Sequence, residues 1–306
     1  MISNEFRHWQ TVALSSEVPA GKPVPVVCGD RDFVLFRDSD GTCRALADRC
    51  AHRRARLSDG RLTAQYLVEC PYHGWRYSGE SGACIAIPNL RSDEKIPKNY
   101  RVQAFETLER DGFIQILLGA GNGAAAPRRL DLPDMGREWQ GEQYFAYPEE
   151  LFMPTLVDCP SSLLALSGIE ILDDHPFGNP TVNGDEIAIE YAAVKKRRTR
   201  RPPKHVPQDY AYTLQISASR FTARAALYAN GDTQLQAAAL IIAVPSGQRL
   251  TRVMWRGSGR ADAETQITIE CRNQVNPVPI RASNTFVSRT WAGTLTPLAG
   301  EAASGG

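Results

Sequence analysis

From Lys22 to Gly119 the chain runs in short stretches of alternating apolar and polar residues, each ending near glycine or aspartate: KPVPVVCGD (22–30), RDFVLFRDSDG (31–41), CRALADRC (43–50), QYLVEC (65–70) and SGESGACIAI (78–87). A period of two, rich in β-branched and aromatic residues, predicts strands, and the closing residues predict turns. FETLERDGFIQILLG (105–119) predicts a hairpin around Asp111-Gly112. The expectation is an all-β domain over residues 1–118.

The pattern then changes. GAGNGAAAPRR, Gly119 to Arg129, is small and flexible in composition and marks a boundary near residue 119, with 119–142 linker-like. PEELFMPTLVDCPSSLLALSGIEI (148–171) is the best helical stretch, bent or interrupted at Pro160. Long β-like runs follow at 185–194, 209–229, 233–244 and 250–257. ADAETQITIECRNQV (261–275) does not decide between helix and strand, and AGEAASGG (299–306) predicts a flexible tail. The second domain, 119–306, is therefore β-rich with one helix.

The 306 residues carry a net charge of +1, so no general attraction to nucleic acid or to a membrane surface is implied. No apolar run is long enough to span a bilayer, and MISNEFRHWQTVAL lacks the basic-then-apolar order of a secretory signal. The expected location is the cytoplasm, where thiols stay reduced. Seven cysteines (28, 43, 50, 70, 84, 159 and 271) are an odd number, which argues against a disulfide framework and leaves the clustered ones open as ligands.

Two clusters stand out. Cys50-Ala51-His52 and Cys70-Pro71-Tyr72-His73 are separated by seventeen residues, Arg53 to Glu69. Two thiolates and two imidazoles suit tetrahedral zinc. They also suit a two-iron cluster in which histidines replace cysteines on one iron. Zinc fingers pair Cys with Cys and His with His along the chain, whereas here each loop supplies one of each, so that each can send its thiolate to one iron and its imidazole to the other.

This C-x-H…C-x-x-H pattern, with CPYHGWRY around the second half, resembles the Rieske [2Fe–2S] motif of Rieske non-haem iron oxygenases, over about residues 8–118. The resemblance implies that Cys50 and Cys70 ligate one iron and His52 and His73 the other. Respiratory Rieske proteins add a disulfide between the loops and a serine after the His-Gly pair; here Ala55, Tyr72 and Trp75 occupy those places. Fewer donors to sulfur imply a lower potential. The resemblance further implies an α+β helix-grip-like catalytic-type domain after the all-β Rieske domain. It implies a ferredoxin or flavin reductase as electron donor, and a three-fold oligomer in which one subunit's second Rieske histidine faces a neighbour's mononuclear iron.

That family holds the mononuclear iron with D-x-x-H-x-x-x-x-H and a late carboxylate. In PTLVDCPSSLLAL the acid is Asp158, but Ser161 and Leu166 stand where the histidines belong. Of five histidines only His8, His175 and His205 lie outside the cluster motif, and no two are four or five apart. Thr265, between Glu264 and Glu270, falls at the late carboxylate. Mononuclear Fe(II) is therefore expected to be absent, with Asp158 left as an inter-subunit bridging acid. Three readings follow. The chain passes electrons to an intact neighbouring oxygenase subunit in a hetero-oligomer. Alternatively it is an active hydroxylase or demethylase with unusual ligands, His175 with Asp173 or Asp174, or with Glu149 and Glu150. Or it is a non-enzymatic redox or scaffold subunit.

KKRRTRRPPKH, Lys195 to His205, is either a docking site for an acidic redox partner or a solvated loop. No aromatic residues interleave it, which argues against nucleic acid. Arg53, Arg54 and Arg56 beside the first cluster orient the loop, meet a partner or are simply solvated. Trp75 and Tyr77 are expected to pack beneath the cluster loops.

Overall fold

A computed structural model describes residues 8–91, 93–119, 132–196, 211–230, 234–247, 249–262 and 265–270. The chain divides into two units, 1–129 with 246–248, and 130–245 with 249–306.

The first unit is built from three small antiparallel sheets. His8–Leu14 pairs with Phe113–Leu118, which pairs with Thr107–Arg110. The hairpin at Asp111-Gly112 has φ of 53° and 74°, the two left-handed residues that a tight two-residue turn needs. Val24–Cys28, Arg31–Arg37, Cys43–Ala47 and Ala104–Phe105 form the second sheet. Phe33, Val34, Leu35 and Phe36 are all buried, so this central strand is covered on both faces rather than one. The third sheet is made of the short strands Arg61–Leu62, Val68–Glu69, Arg76–Tyr77 and Cys84–Ala86. Val34, Phe36, Leu46, Leu57, Val68, Tyr77 and Val102 form one core with Cys50 and Cys70, so the two Cys/His loops rest directly on packed side chains.

The second unit is a nine-stranded antiparallel sheet among the described residues. Its order is Gly136–Phe145, Thr251–Arg260, Leu235–Pro245, Thr222–Ala229, Tyr212–Ala218, Glu186–Lys195, Ile169–Asn183, Leu164–Leu166 and Ile267–Ile269. Alternate residues such as Ile187, Ile189, Tyr191 and Ala193, or Ala237, Ala239, Ile241 and Ala243, point into one core. The helix Glu149–Asp158 buries Phe152, Met153, Leu156 and Val157 in the same core. One helix on an antiparallel sheet, after an all-β unit, is the α+β helix-grip-like arrangement expected. No helix among the described residues is long and apolar enough to cross a membrane.

Three local expectations change. The stretch 119–142 reads as linker in the sequence, yet Gly136–Phe145 is a full strand paired with Thr251–Arg260. Its polar alternation hides the reason: Trp139 and Trp255 lie flat over Gly257 and Gly141, where a Cβ would meet the rings at 2.1 and 2.3 Å. The helix expected over 148–171 ends at Asp158. Pro160 starts a 3-10 turn, and Leu164–Leu166 has joined the sheet, because its leucines are buried by cross-strand partners. The undecided stretch 261–275 contributes the strand Ile267–Ile269, while Cys271 and beyond, and the tail 299–306, lie outside the described residues.

Glu149, in the first helical turn, has a buried Oε1 without a partner among the described residues. Burial pushes its carboxyl up to about 7, against the attraction of Arg220. A carboxyl whose folded pKa exceeds its unfolded value binds its proton more tightly when folded. Its contribution to stability is full below about pH 4.5 and is lost as pH rises through about 7. Unfolding free energy is therefore expected to fall by roughly 2–3 kcal/mol across that window. Denaturant titrations of wild type and Glu149→Gln at pH 5 and pH 8 check this; the variant's curve should be flatter.

Candidate metal centre

The two Cys/His loops are copies of one backbone design. In the first, the Cys50 N–H bonds the Ala55 carbonyl at 2.8 Å and the Arg54 N–H returns to the Cys50 carbonyl at 2.9 Å. In the second, the Cys70 N–H bonds the Trp75 carbonyl at 2.8 Å and the Gly74 N–H returns to the Cys70 carbonyl at 3.1 Å. The fourth residue after each cysteine is left-handed, Arg54 at φ 61° and Gly74 at φ 69°. Glycine suits that conformation; an arginine in it is strained by about 1 kcal/mol. Within this shared frame the histidine sits two residues after Cys50 but three after Cys70. The thiols are buried, at 1% and 2% exposure, while both imidazoles are exposed with ring centroids 4.6 Å apart.

A carboxylate anchors the start of each loop. Asp48, fully buried, accepts hydrogen bonds from the Ser58 N–H (2.7 Å), the Ser58 hydroxyl (2.6 Å) and Arg56 Nε (3.1 Å). Glu69 accepts from Arg76 Nε (2.7 Å) and Arg61 Nε (2.8 Å), and these two guanidinium groups, Arg76 first, hold its carboxyl below the usual range. Neither anchor was singled out from the sequence, although an acid lies one or two residues before each cysteine.

Burial pushes the Cys70 thiol up, and the neighbouring Cys50 thiol adds to this; N–H groups of Tyr72 and His73 oppose it by favouring the thiolate. Solvent displaced by its neighbours, then the nearby His73 and Arg53, hold the exposed His52 imidazole below its usual pKa, toward the neutral form that binds metal. Trp75 stacks parallel on His52, with centroids 4.8 Å apart, and Tyr72 covers His73 at 4.2 Å.

Tyr77 packs beneath the loops as expected, but it also does more. Its hydroxyl accepts the Ala51 N–H at 3.1 Å and lies 3.1 Å from Cys50 Sγ. The phenol or the thiol can donate in this contact; with Cys50 as a ligating thiolate, which has no proton, the phenol O–H would be the donor. A donor to a ligating sulfur stabilises the reduced, more negative state. Tyr77→Phe is expected to lower the potential by on the order of 50 mV, checked by redox titration of the visible spectrum.

Two buried sulfurs and two exposed nitrogens, two protein atoms for each iron, fit the donor set of a [2Fe–2S] cluster with mixed ligands. The other described cysteines of this unit do not compete. Cys28 is buried on the strand Val24–Cys28, away from the two loops in sequence, and burial pushes Cys43 up to about 12 and Cys84 up to about 11, so these last two remain neutral thiols.

In the second unit, the structure places Asp158 at the end of the helix and Ser161 in the following turn. The Ser161 N–H bonds Asp173 Oδ1 at 3.0 Å, and its hydroxyl donates to Asp173 Oδ2. Asp173 reaches it from a bulge in Ile169–Asn183, where the register passes from Ile171↔Ala193 to Pro176↔Tyr191. Tyr191 donates to the Val157 carbonyl at 2.6 Å; burial pushes its phenol up, and the charges of Asp158 and Asp173 add to this. Leu166 is buried on a strand that pairs with Ile169 and Ile267. The Glu270 N–H bonds the Leu163 carbonyl at 2.9 Å, so the late acid does come to this turn, with its side chain exposed. Thr265 is half-buried, His175 lies two residues beyond Asp173, and Asp174 is exposed. Glu149 and Glu150 begin the helix that Asp158 ends, about 14 Å away along its axis. Glu264, His205 and the basic run from Arg197 onward lie outside the described residues.

An all-β unit bearing paired Cys/His loops, followed by one helix on an antiparallel sheet, is the arrangement that the Rieske resemblance implies. Residues 8–106 match the family model of the Rieske [2Fe-2S] domain. Protein TIC 55, chloroplastic, of Arabidopsis thaliana is 41% identical over 108 residues, covering 35% of this chain and 20% of that protein. Chlorophyllide a oxygenase, chloroplastic, of Chlamydomonas reinhardtii is 34% identical over 155 residues, covering 50% of this chain and 21% of that protein. The match thus spans about a fifth of the length of these relatives. The crystal structure of dicamba monooxygenase bound to dicamba superimposes with a TM-score of 0.61 at 22% identity, covering 83% of this chain and 76% of that one. NdmB of Pseudomonas putida CBB5 superimposes with a TM-score of 0.63 at 22% identity, covering 84% and 75%. The chain carries a Rieske [2Fe–2S] domain and has the fold of the Rieske oxygenases.

Proposed function

We propose that this chain is an electron-carrying component of a Rieske oxygenase. Cys50 and Cys70 hold one iron and His52 and His73 the other. When bound, the cluster supplies one-electron storage at low potential. The chain's own residues do the rest: Asp48 and Glu69 fix the loops, Tyr77 donates to Cys50, and the exposed imidazoles form the edge where electrons enter and leave. A ferredoxin or flavin reductase reduces it. It passes electrons to the mononuclear iron of an intact neighbouring subunit in a hetero-oligomer, probed first for three-fold symmetry.

The observation that carries the acceptor half of this reading is the pair Ser161 and Leu166. A facial iron site takes two imidazoles and a carboxylate from one face. At the aligned positions this chain offers a hydroxyl already bonded to Asp173 and a leucine buried in a sheet. Asp158 remains, and in this reading it accepts a hydrogen bond from a neighbour's histidine. The proximity of Asp173 to that turn favours one other reading, an active oxygenase whose iron is held by Asp158 and Asp173 with His175. Metal analysis of the purified chain separates the two: iron bound with acid-labile sulfide in equal amount supports an electron carrier, and iron in excess of sulfide supports the oxygenase.

A further inference from the structure

We infer that Arg53 and Arg54 form the docking patch through which an acidic electron-donor protein reaches the rim of His52. This rests on the reading that the chain holds the cluster. The first observation is the mismatch between the two copied loops. At the fourth position after cysteine the second loop uses Gly74, which fits the left-handed backbone and leaves no room for a side chain, since a Cβ would meet Pro88 Cγ at 2.8 Å. The first loop holds the same conformation with Arg54, which is exposed. Glycine would relax that backbone, so the arginine is retained for its side chain.

The second observation is charge. The other arginines around the loops are each held in a local ion pair: Arg49 with Asp32, Arg56 with Asp48, and Arg61 and Arg76 both with Glu69. Among the described residues Arg53 and Arg54 form no ion pair and no side-chain hydrogen bond, and both are exposed beside an exposed imidazole. The chain as a whole carries only +1, so attraction of a partner must come from a local patch such as this. Tyr72, 61% exposed on the facing loop, adds an aromatic contact of the kind enriched at interfaces. The partner this fits is a carboxylate-rich redox protein. With the cluster bound, one electron would pass from the partner's reduced iron to it, with no bond made or broken.

The test uses the full chain, wild type, Arg54→Gly and Arg53→Gln/Arg54→Gly, with iron and sulfide measured first. The probe is an acidic plant-type [2Fe–2S] ferredoxin. Its affinity is read by calorimetry with the oxidised protein, its electron transfer by stopped flow, and photoreduced deazaflavin serves as a reductant needing no docking surface. The double variant is expected to bind ferredoxin at least about ten-fold more weakly at low salt, with a flatter salt dependence, and to be reduced correspondingly more slowly. Reduction by deazaflavin should be unchanged, and Arg54→Gly should melt about 2 °C higher. Unchanged ferredoxin affinity in a fully loaded double variant overturns the docking patch alone. Equal slowing with both reductants also overturns it, since the arginines would then act on the cluster. A wild type without cluster overturns the functional reading beneath it.

Discussion

Cys70→Ser is expected to purify colourless, with iron and acid-labile sulfide reduced from about two each per chain to near zero, and with no EPR signal after reduction. The ligand is the thiolate. A serine hydroxyl does not ionise in a site that already disfavours the charged sulfur, where Cys70 is 2% exposed and burial pushes its thiol up. The loop around it is held by backbone bonds and by Glu69, none of which needs the sulfur, so the variant should still fold. Cys159→Ser, half-exposed in the other unit, is the control and should retain full iron. Zinc in the wild type, with no labile sulfide, would refute the cluster.

The second large effect concerns oxygen. Purified alone, fully loaded and reduced, the chain is expected to bind no third iron and to give no hydroxylated or demethylated product from aromatic, N-methyl or O-methyl substrates. Iron held by carboxylate and water alone exchanges readily, and the imidazoles that would fix it on one face are absent at 161 and 166. Mixed with an intact Rieske oxygenase subunit, it should enter a closed oligomer, and Cys70→Ser in this chain should then slow the partner's turnover by at least about ten-fold. Analytical ultracentrifugation and single-turnover product analysis read both halves. A third iron at full occupancy, with product from this chain alone, would favour the reading built on Asp158, Asp173 and His175.

Asp48, Glu69 and Tyr77 mark the limit of what spacing reveals about a site. The ligand types and their separation are local facts of the chain, because a cluster constrains which residues must stand a few positions apart. The anchors act through side chains whose partners lie seven to twenty-seven residues away, such as Tyr77 on Cys50 or Arg76 on Glu69. Nothing in their spacing distinguishes them from ordinary packed or solvated residues.

The same division runs through the fold. Alternation, the Asp111-Gly112 turn and the Cys/His spacing were sufficient for an all-β unit with two paired Cys/His loops, because strand period, turn conformation and loop spacing are each set within a few residues. Folding alone settled which stretches became partners. Leu164–Leu166 reads as the end of a helix but is a strand, since its leucines find buried neighbours across the sheet and not along a helical face. The end of the linker-like stretch 119–142 lies instead in the strand Gly136–Phe145, where Gly141 lets an indole from the adjacent strand lie against it. Ser161 reads as a missing ligand, and only the bulge that delivers Asp173 gives its hydroxyl a partner. In each case the deciding energy is burial or hydrogen bonding between residues far apart in the chain, which local pattern does not encode.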